Sequence, residues 1–118
     1  MARILVSGLV NLETTVKVEA FPVPYFPVRY PFFGVASSVS GVGYNVARAL
    51  QALGNAPLLL SLVAPDLAGR QVRDALSRDG LDGFWVRDGA RETAQSVVLY
   101  DGQGRRQIHV DLKDVQER

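Results

Sequence analysis

The chain has 118 residues, 47% of them apolar and 21% charged, with 13 basic and 12 acidic side chains and a formal net charge of +1. That length and apolar content support one domain with its own core and exclude a disordered tail, a coiled coil or a collagen-like repeat. Arginines scattered among Asp and Glu offer no basic face to nucleic acid, and the lack of cysteine excludes disulfide frameworks, thiolate zinc sites and cysteine nucleophiles while fitting a reducing, cytoplasmic compartment.

The first predicted element is Ala2–Gly8, a short continuous apolar run stopped by Ser7 and Gly8. The opening MARILVSGLV is too short and too weakly flanked for a signal peptide, and no later run has the length of a membrane span. Thr15–Ala20 alternates polar and apolar residues, the mark of a strand with one wet face. Phe21–Gly34 carries Pro22, Pro24, Pro27 and Pro31 among six aromatic side chains, and the prolines forbid helix. It reads either as a polyproline ligand for an aromatic-lined groove or as a shaped loop presenting aromatics to a site or interface.

Val46, Ala49, Leu50 and Leu53 then recur at i, i+3, i+4 and i+7, predicting a helix with Gly54 at its left-handed C-terminal cap. Pro57–Val63 is a second continuous apolar run. Such runs suit strands buried on both faces of a parallel sheet. Asp66, after Pro65, is the expected N-cap of a second helix whose face holds Ala68, Val72, Ala75 and Leu76. Gly80 closes it, and Asp74 and Arg78 form an i,i+4 pair. Phe84–Val86 is a further expected strand. Thr93–Tyr100 runs through Asp101-Gly102-Gln103-Gly104, a hairpin signal, into the alternating Arg105–Leu112 segment, with the sole histidine, His109, on its polar side. One histidine leaves little material for a Ser-His-Asp triad or a multi-histidine metal cluster. The order predicts an α/β fold: a parallel sheet with flanking helices, plus a small antiparallel flap whose apolar side is covered by a ligand, the domain body or a second copy.

Ser40-Gly41-Val42-Gly43-Tyr44-Asn45-Val46-Ala47 precedes the first helix. Glycines there let a ligand approach backbone N–H groups at the positive end of the helix dipole. The third glycine of a dinucleotide fingerprint would fall on Val46, and the Gly-Lys-Ser/Thr ending of a Walker loop is missing. Alone, the motif fits a tight turn with close helix packing as well as it fits a ligand site.

In context, Gly41-Val42-Gly43-Tyr44-Asn45-Val46-Ala47, six residues, Gly54, a Leu-rich strand and Pro65-Asp66-Leu67-Ala68-Gly69 resemble the first signature of the ribokinase-like (PfkB) family of carbohydrate kinases. The resemblance runs over nearly the whole chain and implies a ribokinase-like, Rossmann-type sheet with a β lid, the lid elements falling at about 14–38 and 93–112. It implies transfer of the ATP γ-phosphoryl group, with Mg²⁺, to a sugar or nucleoside hydroxyl. By matching positions, Asn11 and Glu13 would bind substrate hydroxyls, and Gly41, Val42 and Gly43 would bring backbone close to the substrate, the two glycines offering N–H groups. Asn45 would donate and accept, and Ser96, Val98 and Val110 would face the sugar from the lid. Departures are Ser40 for a small Gly or Ala, Ala64 for a glycine, and Glu13 for the commoner Asp. The Gly-Val-Gly-x-Asn form is similar to the pseudouridine-kinase-like branch, which makes a nucleoside a candidate substrate.

The family's Gly-x-Gly-Asp motif, with the catalytic base, anion hole and adenine pocket, has no counterpart in these residues, and no catalytic or metal-binding residue is assigned. The expectation is the acceptor-binding N-terminal part of one ribokinase-like domain, inactive alone, without its nucleotide site. The alternative is a non-catalytic dimerisation or interaction module, since lid-to-lid dimers occur in the resembled family. A small nucleotide-binding regulator ranks last, for want of a phosphate loop. Neither a nucleic-acid partner nor a membrane is expected.

Overall fold

A computed structural model describes residues 1–118. Strands β1 (Arg3–Ser7), β4 (Ala56–Val63) and β5 (Val86–Asp88) form a parallel sheet in the order β1-β4-β5. Helices α1 (Val42–Ala52) and α2 (Leu67–Arg78) are its crossovers. Both crossovers step in the same direction along the sheet, so the helices fall on the same side. Val6, Leu59, Val63 and Val86 from the strands meet Ala47, Val72, Ala75 and Leu76 from the helices in one core. Burying each such Val or Leu stabilises the fold by roughly 1.5–3 kcal/mol.

The other side of this sheet is open. Leu5 and Leu60 are 64% and 40% exposed, and Leu58 and Leu62 are only half-buried. Continuous apolar runs predict strands buried on both faces; these have one covered face, because both helices lie on the opposite side.

Strands β2 (Asn11–Lys17), β3 (Val35–Ser40), β6 (Gln95–Tyr100) and β7 (Arg106–Asp111) make a second sheet in the order β3-β2-β6-β7. Its outer ladders, β2 with β3 and β6 with β7, are antiparallel, and its central pair, β2 with β6, is parallel. The flap is therefore mixed, because β2 and β6 both begin where the chain leaves the parallel body. The β6–β7 turn forms as the Asp-Gly signal predicts. The buried Asp101 carboxylate accepts from the Gln103 and Arg105 backbone N–H groups and from Arg105 Nε.

Local expectations meet mixed outcomes. Gly54 and Gly80 adopt positive φ after the helices, and Asp66 caps α2 by accepting from the Gly69 N–H at 2.8 Å. The buried face of α1, however, is Gly43, Tyr44 and Ala47, leaving Val46 and Leu53 exposed at 42% and 78%. Strand β2 begins at Asn11, four residues before the alternation signal. Arg78 turns to Asp79, not to Asp74. Phe84 and Trp85 stand exposed ahead of β5, in edge-to-face contact with Arg87 over both rings.

Candidate acceptor site

Three crossings between the sheets build the site. In the first, the Ser7–Asn11 turn passes under the start of α1, where the Leu9 carbonyl accepts from the Gly43 N–H at 3.0 Å and the Tyr44 N–H at 3.4 Å. A Cβ on Gly41, which has φ 107°, would lie 2.4 Å from that carbonyl oxygen, and one on Gly43 would lie 2.6 Å from the Gly8 carbonyl carbon. Close backbone approach thus demands both glycines. The Gly43 N–H, expected to meet a ligand, is instead satisfied by Leu9, as a helix N-terminus needs when no side chain caps it.

In the second crossing, β3 runs from the other sheet directly into Gly41. Its last residue, Ser40, pairs with Asn11, the first of β2. In the third, Thr93 leads into β6. Its N–H and hydroxyl donate to Asp66, at 2.9 and 2.7 Å, and its Oγ1 accepts from the Ala64 N–H. Burial pushes the Asp66 carboxyl up, but the hydrogen bonds from Thr93 and Gly69 outweigh it and hold the group below the usual range.

These crossings bring several expected residues together. Cross-strand partners share a face, so the pairings Glu13 with Ser96, Thr15 with Val98, and Ser96 with Val110 put Asn11, Glu13, Ser96, Val98 and Val110 on one side of the sheet. Asn11 is buried and its Nδ2 donates to Ser96 Oγ at 3.1 Å. Its Oδ1 is buried with no partner, and such a group costs roughly 1–3 kcal/mol when left unsatisfied. Val42 and Asn45 lie exposed in the first turns of α1, beside the Ser40–Asn11 pair in sequence. Sequence reasoning passed over Ser38, which pairs with Glu13, and Leu9, which acts through its backbone. The only signal for Ser38 is its place two residues before Ser40. His109 is exposed and pairs with Val97, on the side away from Glu13.

A profile of the pfkB family carbohydrate kinases matches residues 1–118. This chain belongs to that family. Its fold superposes on a microbiome-derived acarbose kinase, Mak1, with a TM-score of 0.79 and 26% identity, covering 92% of this chain and 36% of the other. The ribokinase of Arabidopsis thaliana, solved with ribose and ATP, gives 0.75 and 22%, covering 94% and 36%. The bifunctional protein HldE of Bradyrhizobium sp. (strain ORS 278) is 39% identical over 62 residues, 52% of this chain and 12% of that protein. The chain thus spans about a third of the two solved kinases. The mixed sheet with its parallel companion is the ribokinase fold.

The start of α1 in this pfkB segment does not fit the phosphates of a nucleotide with its metal. No group of three or more Asp, Glu, His or Cys side chains converges to hold a cation, and the glycine-flanked start of α1 is closed by the Leu9 carbonyl. No helix is long and apolar enough to cross a membrane.

Proposed function

We propose that this chain is the acceptor-binding part of an ATP-dependent sugar or nucleoside kinase acting in the cytoplasm. Its four-stranded sheet, residues about 14–38 and 93–112, serves as the lid over the acceptor. The observation that carries this reading is the convergence of Asn11, Glu13 and Ser96 on one face, with a buried Asn11 Oδ1 that lacks a donor. A substrate hydroxyl supplies that donor, and Glu13 accepts from a neighbouring hydroxyl. Ser96, whose oxygen already accepts from Asn11, gives its own proton to the substrate. Val98 and Val110 bound the sugar on its apolar side, and Asn45 approaches from α1. The ribose in the Arabidopsis structure supports a polyhydroxylated acceptor.

ATP and Mg²⁺ supply the phosphoryl group and its charge stabilisation when bound. The residues here orient the accepting hydroxyl and leave the nucleotide to other parts of the kinase, so the chain alone binds acceptor without turning over ATP. Calorimetry against a panel of sugars and nucleosides tests this. Binding of at least one, weakened about tenfold by Glu13→Gln or Asn45→Ala as for loss of one charged or polar contact, is expected. ATP turnover by the chain, or binding indifferent to both substitutions, contradicts it.

A second reading, a homodimer through the lid, is favoured by exposed apolar groups on its aromatic segment and on its edge strand β7. Tyr25, Phe32 and Phe33 are each more than four-fifths exposed, and Ile108 and Val110 about half. Sedimentation at several concentrations tests it, a strictly monomeric chain being the contrary result.

A further inference from the structure

The side of the four-stranded sheet away from Asn11 and Glu13 has its own cavity. Helix α2 lies against β2 and β3 there, and between the helices and the sheet is a space of about 500 Å³ with Leu12, Val39 and Tyr44 in its wall. That volume is within the roughly 300–1,000 Å³ of small-molecule sites. Its polar groups come from three elements: Ser37 from β3, Arg48 from α1, and Gln71, Asp74 and Arg78 from α2.

The two arginines are held in place from below. Asp79, with a side chain 11% exposed, accepts from Arg48 Nη1 at 2.9 Å, from Arg78 Nε at 3.4 Å and from the Tyr44 hydroxyl. Each guanidinium carries five N–H donors in a fixed plane, so each keeps donors beyond those Asp79 engages. The Tyr44 hydrogen bond, then Arg78 and Arg48, keep Asp79 ionised by lowering its pKa, while burial above all raises that of Tyr44. The clamp therefore persists across neutral pH. Asp74 has no ion-pair partner, since Arg78 turns to Asp79. Its carboxylate repels a bare anion and offers an acceptor to hydroxyls.

We infer that this cavity is a second ligand site, for a small phosphate monoester that carries free hydroxyls: the phosphate meets Arg48 and Arg78, and the hydroxyls meet Asp74, Gln71 and Ser37. Successive residues of a strand face opposite sides, so the wall residue Leu12 lies between Asn11 and Glu13. Tyr44 likewise lies between Gly43 and Asn45, and Val39 precedes Ser40. A ligand here touches the reverse of the elements that form the acceptor face, and its presence does not depend on what that face binds.

The test is calorimetry and amide chemical-shift mapping of the chain with ribose 5-phosphate, ribose and inorganic phosphate as probes. Ribose 5-phosphate is expected to bind more tightly than either of the others and to shift the amides of Leu12, Val39 and Tyr44. Arg78→Gln is expected to weaken it about tenfold, as for loss of a charge-assisted contact, with Asn45→Ala without effect. Because Arg78 also holds Asp79, Gln71→Ala provides a second variant with no hydrogen bond of its own to lose, and it too is expected to weaken binding. Absence of binding, equal binding of inorganic phosphate or ribose, shifts confined to Asn11, Glu13 and Ser96, or indifference to both Arg78→Gln and Gln71→Ala would each overturn the inference.

Discussion

The two sheets of this molecule solve opposite problems. Strands β1 and β4 of the β1-β4-β5 sheet come from continuous apolar runs, and the covered side of that sheet is a dry core in which Leu59 is 1% exposed. The β3-β2-β6-β7 sheet alternates, and its outermost strand, β7, is exposed at every residue. One sheet supplies stability and the other supplies a buried polar atom that still lacks a partner, Asn11 Oδ1. Chemistry thus collects on the sheet that has least to lose from being wet.

The contrast can be broken most forcefully at the joint between the two. Gly69→Ala puts a Cβ 1.8 Å from the Ala64 carbonyl oxygen, in the turn that also anchors Thr93, and is expected to abolish folding or cost more than about 4 kcal/mol by chemical denaturation. Leu59→Ala, in the dry core, is expected to cost about 2–5 kcal/mol. Asp66→Ala removes a helix cap and orphans the Thr93 N–H, for about 2–3 kcal/mol. Ile108→Ser on β7 is expected to stay within about 0.5 kcal/mol, and a loss as large as that of Leu59→Ala would erase the distinction between the sheets.

Acid sharpens the same contrast. Backbone hydrogen bonds from Arg91 come first among the causes that lower the Asp114 carboxyl to about 2, and Asp66 is also depressed. Groups with depressed folded pKa values contribute stability that is complete above the unfolded value near pH 4 and is lost as pH falls through the folded value. Denaturation midpoints should therefore fall between about pH 4 and 2, and less steeply in Asp114→Asn. An identical slope in that variant would show that Asp114 does not stabilise the fold.

Much of this was legible in the residues. Continuous apolar runs gave β1 and β4, Asp66 and Gly80 bracketed α2, and Asp101-Gly102 marked the β6–β7 turn. The α1 face was not legible from hydrophobic period, because the helix packs through Tyr44, Ala47 and Gly43, the last of which, lacking a side chain, comes into contact with Gly8. Period counting favours the larger Val46 and Leu53, which point outward. Residue matching named Asn11, Glu13, Ser96, Val98 and Val110 as contacts of an acceptor, and the strand register sets them on one side of the sheet. The use of the Gly43 N–H was not readable, since its acceptor is a backbone carbonyl, identical in every residue type. The Arg48–Tyr44–Asp79 cluster was equally hidden, its members being brought together only by the packing of α1 on the end of α2.

The strand register has a mechanical consequence. Leu12, Val39, Gln95 and Asp111 lie in one row, so all four strands join the body at the same end and the sheet projects from it like a bracket. A six- or seven-residue strand is about 20 Å long, so a tilt of about 10° at the root carries the tip about 3.5 Å. The aromatic segment between β2 and β3 rides at that tip and sweeps furthest, while the Asn11–Ser96 pair sits near the pivot and hardly moves. Under the proposed lid role, the polar grip on an acceptor would stay in register while the far end of the sheet swings.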